Sequence, residues 1–298
     1  MSTRPPVPDA ESGRHTDSGT GGSRTKTGAG AGTETGAGGG AGAGAGAGAR
    51  ADVARSRADG GRLGGRTIVL IGGGSGIGLR VAHQAVAAGA RVVLGGRSPE
   101  RLAAAAEPLG NAATWHTVDV TDRPSLASFF DRVERVDHLL TTAATYQVGP
   151  MRELSDEDAE SPFVSKFWGQ YHAVRLAAPK LAADGSVVLM SGAAGARPPG
   201  PAPAYAACNA ALEGLARGLA VELAPVRVNV VSPGTVDGNL WQQRPAGTRE
   251  AAFAQYRRDT LLHRLATEDE IADAVLFLFG NGYTTGSTLY PDGGYTLR

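Results

Sequence analysis

The sequence predicts an α/β fold, a doubly wound parallel sheet covered by helices on both faces in three layers, α/β/α. Two observations predict it. Along residues 66–298, short apolar runs of strand length alternate with longer amphipathic stretches of helical period. A glycine-rich turn, Gly72-Gly73-Gly74-Ser75-Gly76-Ile77-Gly78, joins the first run to the first stretch.

Each element has its own warrant. Residues 67–71 read as a buried strand, 77–88 as a helix stopped by Gly89, and 91–94 as a second strand. Ser98 is placed as the N-cap of a helix over 99–109, with Pro99 at its first position and Gly110 closing it. A third strand covers 114–118, a helix 125–133 and a fourth strand 137–141. The longest helix is expected over 162–183, with Pro179 tolerated near its end. A fifth strand at 186–190, a helix at 204–223 and a sixth strand at 226–231 follow. A helix at 268–279 and a strand at 287–290 complete the chain. Right-handed crossovers between such strands place ligands at their carboxyl ends, after Ile71, Leu94, Val118, Thr141, Met190 and Val231.

Residues 1–60 differ in kind. They are mostly Gly, Ala, Ser, Thr and Arg, and 28–49 are nearly pure Gly and Ala. Such a segment buries too little apolar surface to offset its ordering entropy, so a disordered tail is expected, with 66–298 as the single folded domain. The tail lacks the apolar core of a secretory signal. Formal charges balance at 29 against 29, which gives no argument for nucleic acid or an anionic membrane. No apolar run is long enough to span a bilayer. One cysteine, Cys208, excludes an intramolecular disulfide and a cysteine-rich metal site, and no histidine pair has ligand spacing. No metal site is expected, and the cytoplasm is the expected location.

The glycine turn carries the chemistry. It follows a strand and opens a helix, the context that marks a Rossmann-type dinucleotide site. Gly72 permits the tight turn, Gly76 lets a pyrophosphate approach the backbone, and Gly78 lets helix and strand pack closely. The helix N-terminus offers free N–H groups and a partial positive charge, and Ser75 adds a hydroxyl. After the second strand stands Leu94-Gly95-Gly96-Arg97, with no carboxylate for a ribose 2′-hydroxyl. Arg97 suits a 2′-phosphate instead, so NADP(H) is favoured over NAD(H).

The G-x-x-x-G-x-G spacing, with several ordered matches downstream, resembles the short-chain dehydrogenase/reductase family. Asp119-Val120 is similar to its adenine contact, and Ser232-Pro233-Gly234-Thr235 to its nicotinamide-side loop. Asp292-Gly293-Gly294 is similar to its C-terminal signature. The resemblance implies cofactor contacts from Gly72, Gly74, Ser75, Gly76, Ile77, Gly78, Arg97, Asp119, Val120, Ala143, Pro233, Gly234 and Thr235. It also implies a small-molecule substrate and a homodimer or homotetramer.

The resemblance further implies a tyrosine acid–base group, and Tyr205 stands where it belongs. A free phenol titrates near pH ~10, so it needs a nearby cation to act as a base at neutral pH. The family's lysine four residues on is Asn209 here. Its serine, thirteen residues before the tyrosine, is Gly192, with Ser191 adjacent. Its supporting asparagine is Lys166, and its Asn-Asn-Ala-Gly segment is Thr141-Thr142-Ala143-Ala144. One arrangement preserves the chemistry: lysine and asparagine trade helices, Lys166 supplying the cation and Asn209 holding it. Tyr205, Lys166, Ser191 and Asn209 are therefore the candidate catalytic residues. The expected activity is NADP-dependent carbonyl–alcohol interconversion by hydride transfer. The alternative is a dinucleotide-binding sensor with little catalysis. Trp241, in a segment expected to form a lid, is expected to line an apolar pocket. Trp168 and Tyr171 are expected to serve packing or subunit contact.

Overall fold

The computed structural model describes residues 62–298; the tail predicted over 1–60 lies outside the described residues. Seven parallel strands form one sheet in the order β3-β2-β1-β4-β5-β6-β7. They are β1 Thr67–Ile71, β2 Arg91–Gly96, β3 Ala113–Thr117, β4 Val136–Thr141, β5 Leu181–Met190, β6 Arg227–Val231 and β7 Thr288–Leu289. The helices are α1 Gly76–Ala87, α2 Pro99–Ala106, α3 Arg123–Asp131, α4 Asp156–Pro162, α5 Gly169–Ala177, α6 Pro203–Glu222, α7 Asn239–Gln242, α8 Ala246–Asp259 and α9 Glu268–Gly280.

Strand residues alternate between faces, so each strand feeds two cores. Ile68, Leu70 and Leu94 pack with Val81 and Ala85 of α1, Leu102 of α2 and Ile271 and Val275 of α9. Val69, Ile71 and Leu139 pack on the other face with Phe129 and Phe130 of α3, Val174 of α5 and Leu212 of α6. The order reverses between β1 and β4, where Ile71 registers with Thr141. Ligand sites are expected at such a switch point.

Helix termini follow the local rules. Ser98 accepts from the Arg101 N–H as N-cap of α2. Thr267 and Glu270 form a reciprocal capping box on α9.

Three expectations need correction. The helix predicted over 99–109 stops at Ala106, and a 3₁₀ segment, Glu107–Ala112, carries Gly110 at φ 55°. The helix predicted over 162–183 starts at Asp156, capped by Ser155, and passes through a π-helical turn, Phe163–Trp168. It ends at Ala177, because Pro179 has no N–H for a helical bond. Strand β5 then begins at Leu181, which pairs with Val136. The expected lid contains two helices, α7 and α8.

Candidate active site

The glycine turn is a cradle that side chains would fill. Gly72, at φ +99°, donates its N–H to the Gly95 carbonyl at 2.8 Å. A Cβ there would lie 2.8 Å from the Ala143 nitrogen, and one on Gly78 would run into the Gly72 carbonyl group. Gly76 also has positive φ, +58°. The first bond inside α1 comes from the Leu79 N–H to the Ser75 carbonyl, at 3.3 Å. The N–H groups of Gly76, Ile77 and Gly78 therefore have no partner within the helix. Gly74 lies above Leu102, and Ile77 is half-buried beside the core. The Ser75 hydroxyl does not cap α1. It meets Asn239 Nδ2 at 3.4 Å, while the Asn239 N–H donates to Glu268 Oε1 at 2.7 Å. These bonds tie the start of α7 beside the turn.

Arg97 follows β2 directly, is exposed and makes no side-chain hydrogen bond among the described residues. Asp119 Oδ1 accepts from the N–H and hydroxyl of Thr121. Burial pushes the Asp119 carboxyl up, but the Thr121 bonds and the Arg97 charge bring it net below its ordinary value. Val120 packs onto Gly169, where a Cβ would sit 3.0 Å from the Val120 Cβ.

On the other side of the switch point the work falls to side chains. The π turn carries Lys166 inward, where it is 5% exposed. Its Nζ donates to Asn209 Oδ1 at 2.6 Å and to the Ser191 carbonyl at 2.9 Å. It also lies 5.5 Å from the centroid of the Tyr205 ring, within cation–π range. Asn209 is fully buried, and its Nδ2 donates to the Tyr205 carbonyl at 2.8 Å. Ser191 is buried, and its hydroxyl donates to the Asn209 carbonyl at 2.8 Å. That hydroxyl therefore ties β5 to α6 and is not directed at a substrate. The other lysine among the described residues, Lys180, donates instead to the carbonyls of Phe130 and Val133 at the end of α3.

Beside Tyr205 lies a small cavity of about 70 Å³ lined by Gly192, Tyr205, Pro233, Gly234, Thr235, Tyr256 and other residues. Gly234 abuts the backbone of Asp292, whose carboxylate holds the turn at Gly294 and Thr296. Trp241 packs edge-on against Phe253 and Tyr256 of α8, and Arg244 covers its ring at 4.7 Å. Burial pushes the Tyr256 phenol above its ordinary value.

A family model described as "Enoyl-(Acyl carrier protein) reductase" matches residues 72–296. The chain belongs to the short-chain dehydrogenase/reductase family. The protein named short-chain dehydrogenase/reductase malC of Malbranchea aurantiaca is 29% identical over 266 residues, covering 83% of this chain and all of that one. Oxidoreductase UcpA of Escherichia coli O157:H7 is 31% identical, covering 80% and 97%. A crystal structure of a small-chain dehydrogenase in complex with NADPH superimposes with a TM-score of 0.67. It is 29% identical and covers 78% of this chain and all of that one. The chain is an oxidoreductase of this family, acting on small molecules. No helix among the described residues is long and apolar enough to cross a membrane.

Against the family pattern, Lys166 and Asn209 meet although 43 residues separate them. Ala143 borders Gly72. Sequence reasoning missed Tyr146, in the loop after β4. Its ring stacks on Tyr205 with centroids 5.0 Å apart, and its hydroxyl donates to the Tyr205 oxygen at 3.4 Å. Only a fold-level pairing of the β4 loop with α6 brings them together.

Proposed function

We propose that the chain is an NADP-dependent oxidoreductase that interconverts a carbonyl and an alcohol. The observation that carries this is the Lys166 ammonium, held by Asn209 and lying over the Tyr205 ring. When bound, the nicotinamide supplies or accepts the hydride at the substrate carbon. The glycine cradle fits its dinucleotide: Gly72 and Gly78 leave no room for a Cβ, and the open N–H groups of α1 suit a pyrophosphate. Gly74, Ser75, Gly76 and Ile77 would complete that contact. Asp119 and Val120 would face the adenine, Arg97 a 2′-phosphate, and Ala143, Pro233, Gly234 and Thr235 the nicotinamide side.

Tyr205 gives its proton to the substrate oxygen in reduction and takes it back in oxidation. Lys166 faces the Tyr205 ring 5.5 Å from its centroid, beside the oxygen that gives up the proton, and Asn209 and the Ser191 carbonyl hold Lys166 in place. The exposed Val164 and Trp168 on the α4–α5 side support a homodimer or homotetramer.

A sensor with little catalysis has one observation in its favour, the missing hydroxyl at Gly192. Fluorescence titration with NADPH and NADH, followed by NADPH oxidation with a panel of carbonyls, separates the readings. Turnover that disappears in Tyr205→Phe supports the enzyme. Tight NADPH binding without turnover of any carbonyl supports the sensor, and preference for NADH would sink the assignment of Arg97.

A further inference from the structure

We propose that Tyr146 is a positioning residue for the proton step at Tyr205, its hydroxyl replacing the one absent at Gly192. The proposal rests on the reading of Tyr205 as the acid–base group. A phenol that cycles its proton benefits from a nearby positive charge and from a donor to its oxygen. Lys166 supplies the charge, but two of its three N–H groups donate to Asn209 and to the Ser191 carbonyl, and among the described residues none is bonded to the Tyr205 oxygen. Tyr146 supplies the donor. Its ring lies 29° from parallel with that of Tyr205, so the hydroxyl cannot swing away without breaking the stack. Lys166 Nζ lies 5.7 Å from the Tyr146 centroid and 5.5 Å from that of Tyr205, so one cation faces both rings.

Gly192 shows why a serine does not do this work. A Cβ there would lie 3.5 Å from the Tyr205 hydroxyl, close enough for a serine to serve it. The same Cβ would press to 3.2 Å on Asn209 Oδ1, the oxygen that holds Lys166. Bringing the lysine in from the π turn thus leaves no easy place for that serine. The other titratable groups facing the pair are Cys208 on α6, and Tyr256 and Arg244 from the lid. Burial, then the neighbouring Tyr205, pushes the Tyr146 phenol well above its ordinary value, so it stays a donor while Tyr205 cycles. As the Tyr205 O–H bond breaks and the proton passes to the substrate oxygen, the Tyr146 O–H points at the phenolate left behind. The 3.4 Å separation is longer than a strong O–H···O bond of about 2.5–3.0 Å, which leaves room to tighten as that charge develops.

The test uses the full chain with NADPH and an aromatic 1,2-diketone, comparing Tyr146→Phe, Tyr146→His and Tyr205→Phe. Tyr146→Phe keeps the ring and should keep NADPH affinity within about twofold. It should lower kcat by about tenfold or more, the size of one hydrogen bond to a charged group, with a smaller change in KM and a shifted pH profile. Tyr146→His, which restores a donor, should recover part of the loss. Unchanged kcat and pH profile in Tyr146→Phe, while Tyr205→Phe is inactive, overturns the proposal alone. Turnover retained in Tyr205→Phe overturns the underlying reading and the proposal with it. If the diketone is not reduced, ultraviolet titration of the tyrosines decides. The step that Tyr205→Phe deletes must move in Tyr146→Phe, and an unmoved step refutes the role.

Discussion

Around the switch point, the β1–α1 side is built from backbone and the α5–α6 side from side chains. In the first, Gly72 and Gly78 approach so closely that any Cβ would collide with main chain. In the second, Lys166, Asn209, Tyr205 and Tyr146 meet through bonds and ring faces from three segments far apart in sequence. A backbone cradle admits few alternative sequences. A side-chain constellation needs only the right groups in the right volume, whichever helix supplies them. The first side carries the glycine spacing that the resemblance rests on, while the second is the side proposed to be rearranged.

The largest expected effect tests the rearranged side. Lys166→Met should lower turnover by roughly 10²–10⁴-fold and leave NADPH binding nearly intact. Steady-state kinetics beside a fluorescence titration would check this, and unchanged turnover would break the contrast.

The next effect concerns β4, the strand that joins the two sides. His138 is buried, stacked on Phe279, and bonded through Nδ1 to the Ser186 hydroxyl at 2.8 Å. Its Nε2 has no partner among the described residues. Burial, aided by the Arg227 and Arg66 charges, lowers its pKa from 6.5 to about 4. The unfolded chain therefore binds the extra proton first, and stability is lost as pH falls from 6.5 towards 4. The loss is at most about 3 kcal/mol, and thermal melts of the wild type and His138→Gln across that range should diverge.

A third change addresses the cradle itself. Gly78→Ala should cost about 1–3 kcal/mol of stability through overpacking and weaken NADPH binding strongly. A melt together with the same titration reads both, and a neutral result would show that the turn yields more than its geometry suggests. Arg97→Ala should have the smallest effect. It should reduce the preference for NADPH over NADH by about tenfold and leave NADH binding unchanged.

Legibility in the sequence follows the same division. The cradle was legible because glycine spacing, strand and helix start are all local. The Lys166–Asn209 pairing was also within reach, because two departures from one pattern suggested a single exchange. Ser191 was misread because strand neighbours point to opposite sides, and adjacency to Gly192 says nothing of direction. Tyr146 was invisible, since its loop has no period and its partner lies 59 residues away. Helix α8 was hidden in Ala246–Asp259, where only Phe253 is buried and the apolar stripe that marks a helix is missing. The early start of β5 was hidden because Leu181-Ala182-Ala183-Asp184-Gly185 has little strand character, and pairing with β4 alone places it.

The bond between Lys166 and Asn209 has a consequence for variation. Changing either side chain alone leaves a buried amide or a buried ammonium without its mate. The two positions therefore act as one unit of substitution, and a double change that restores a donor–acceptor pair should cost less than the sum of the two single changes.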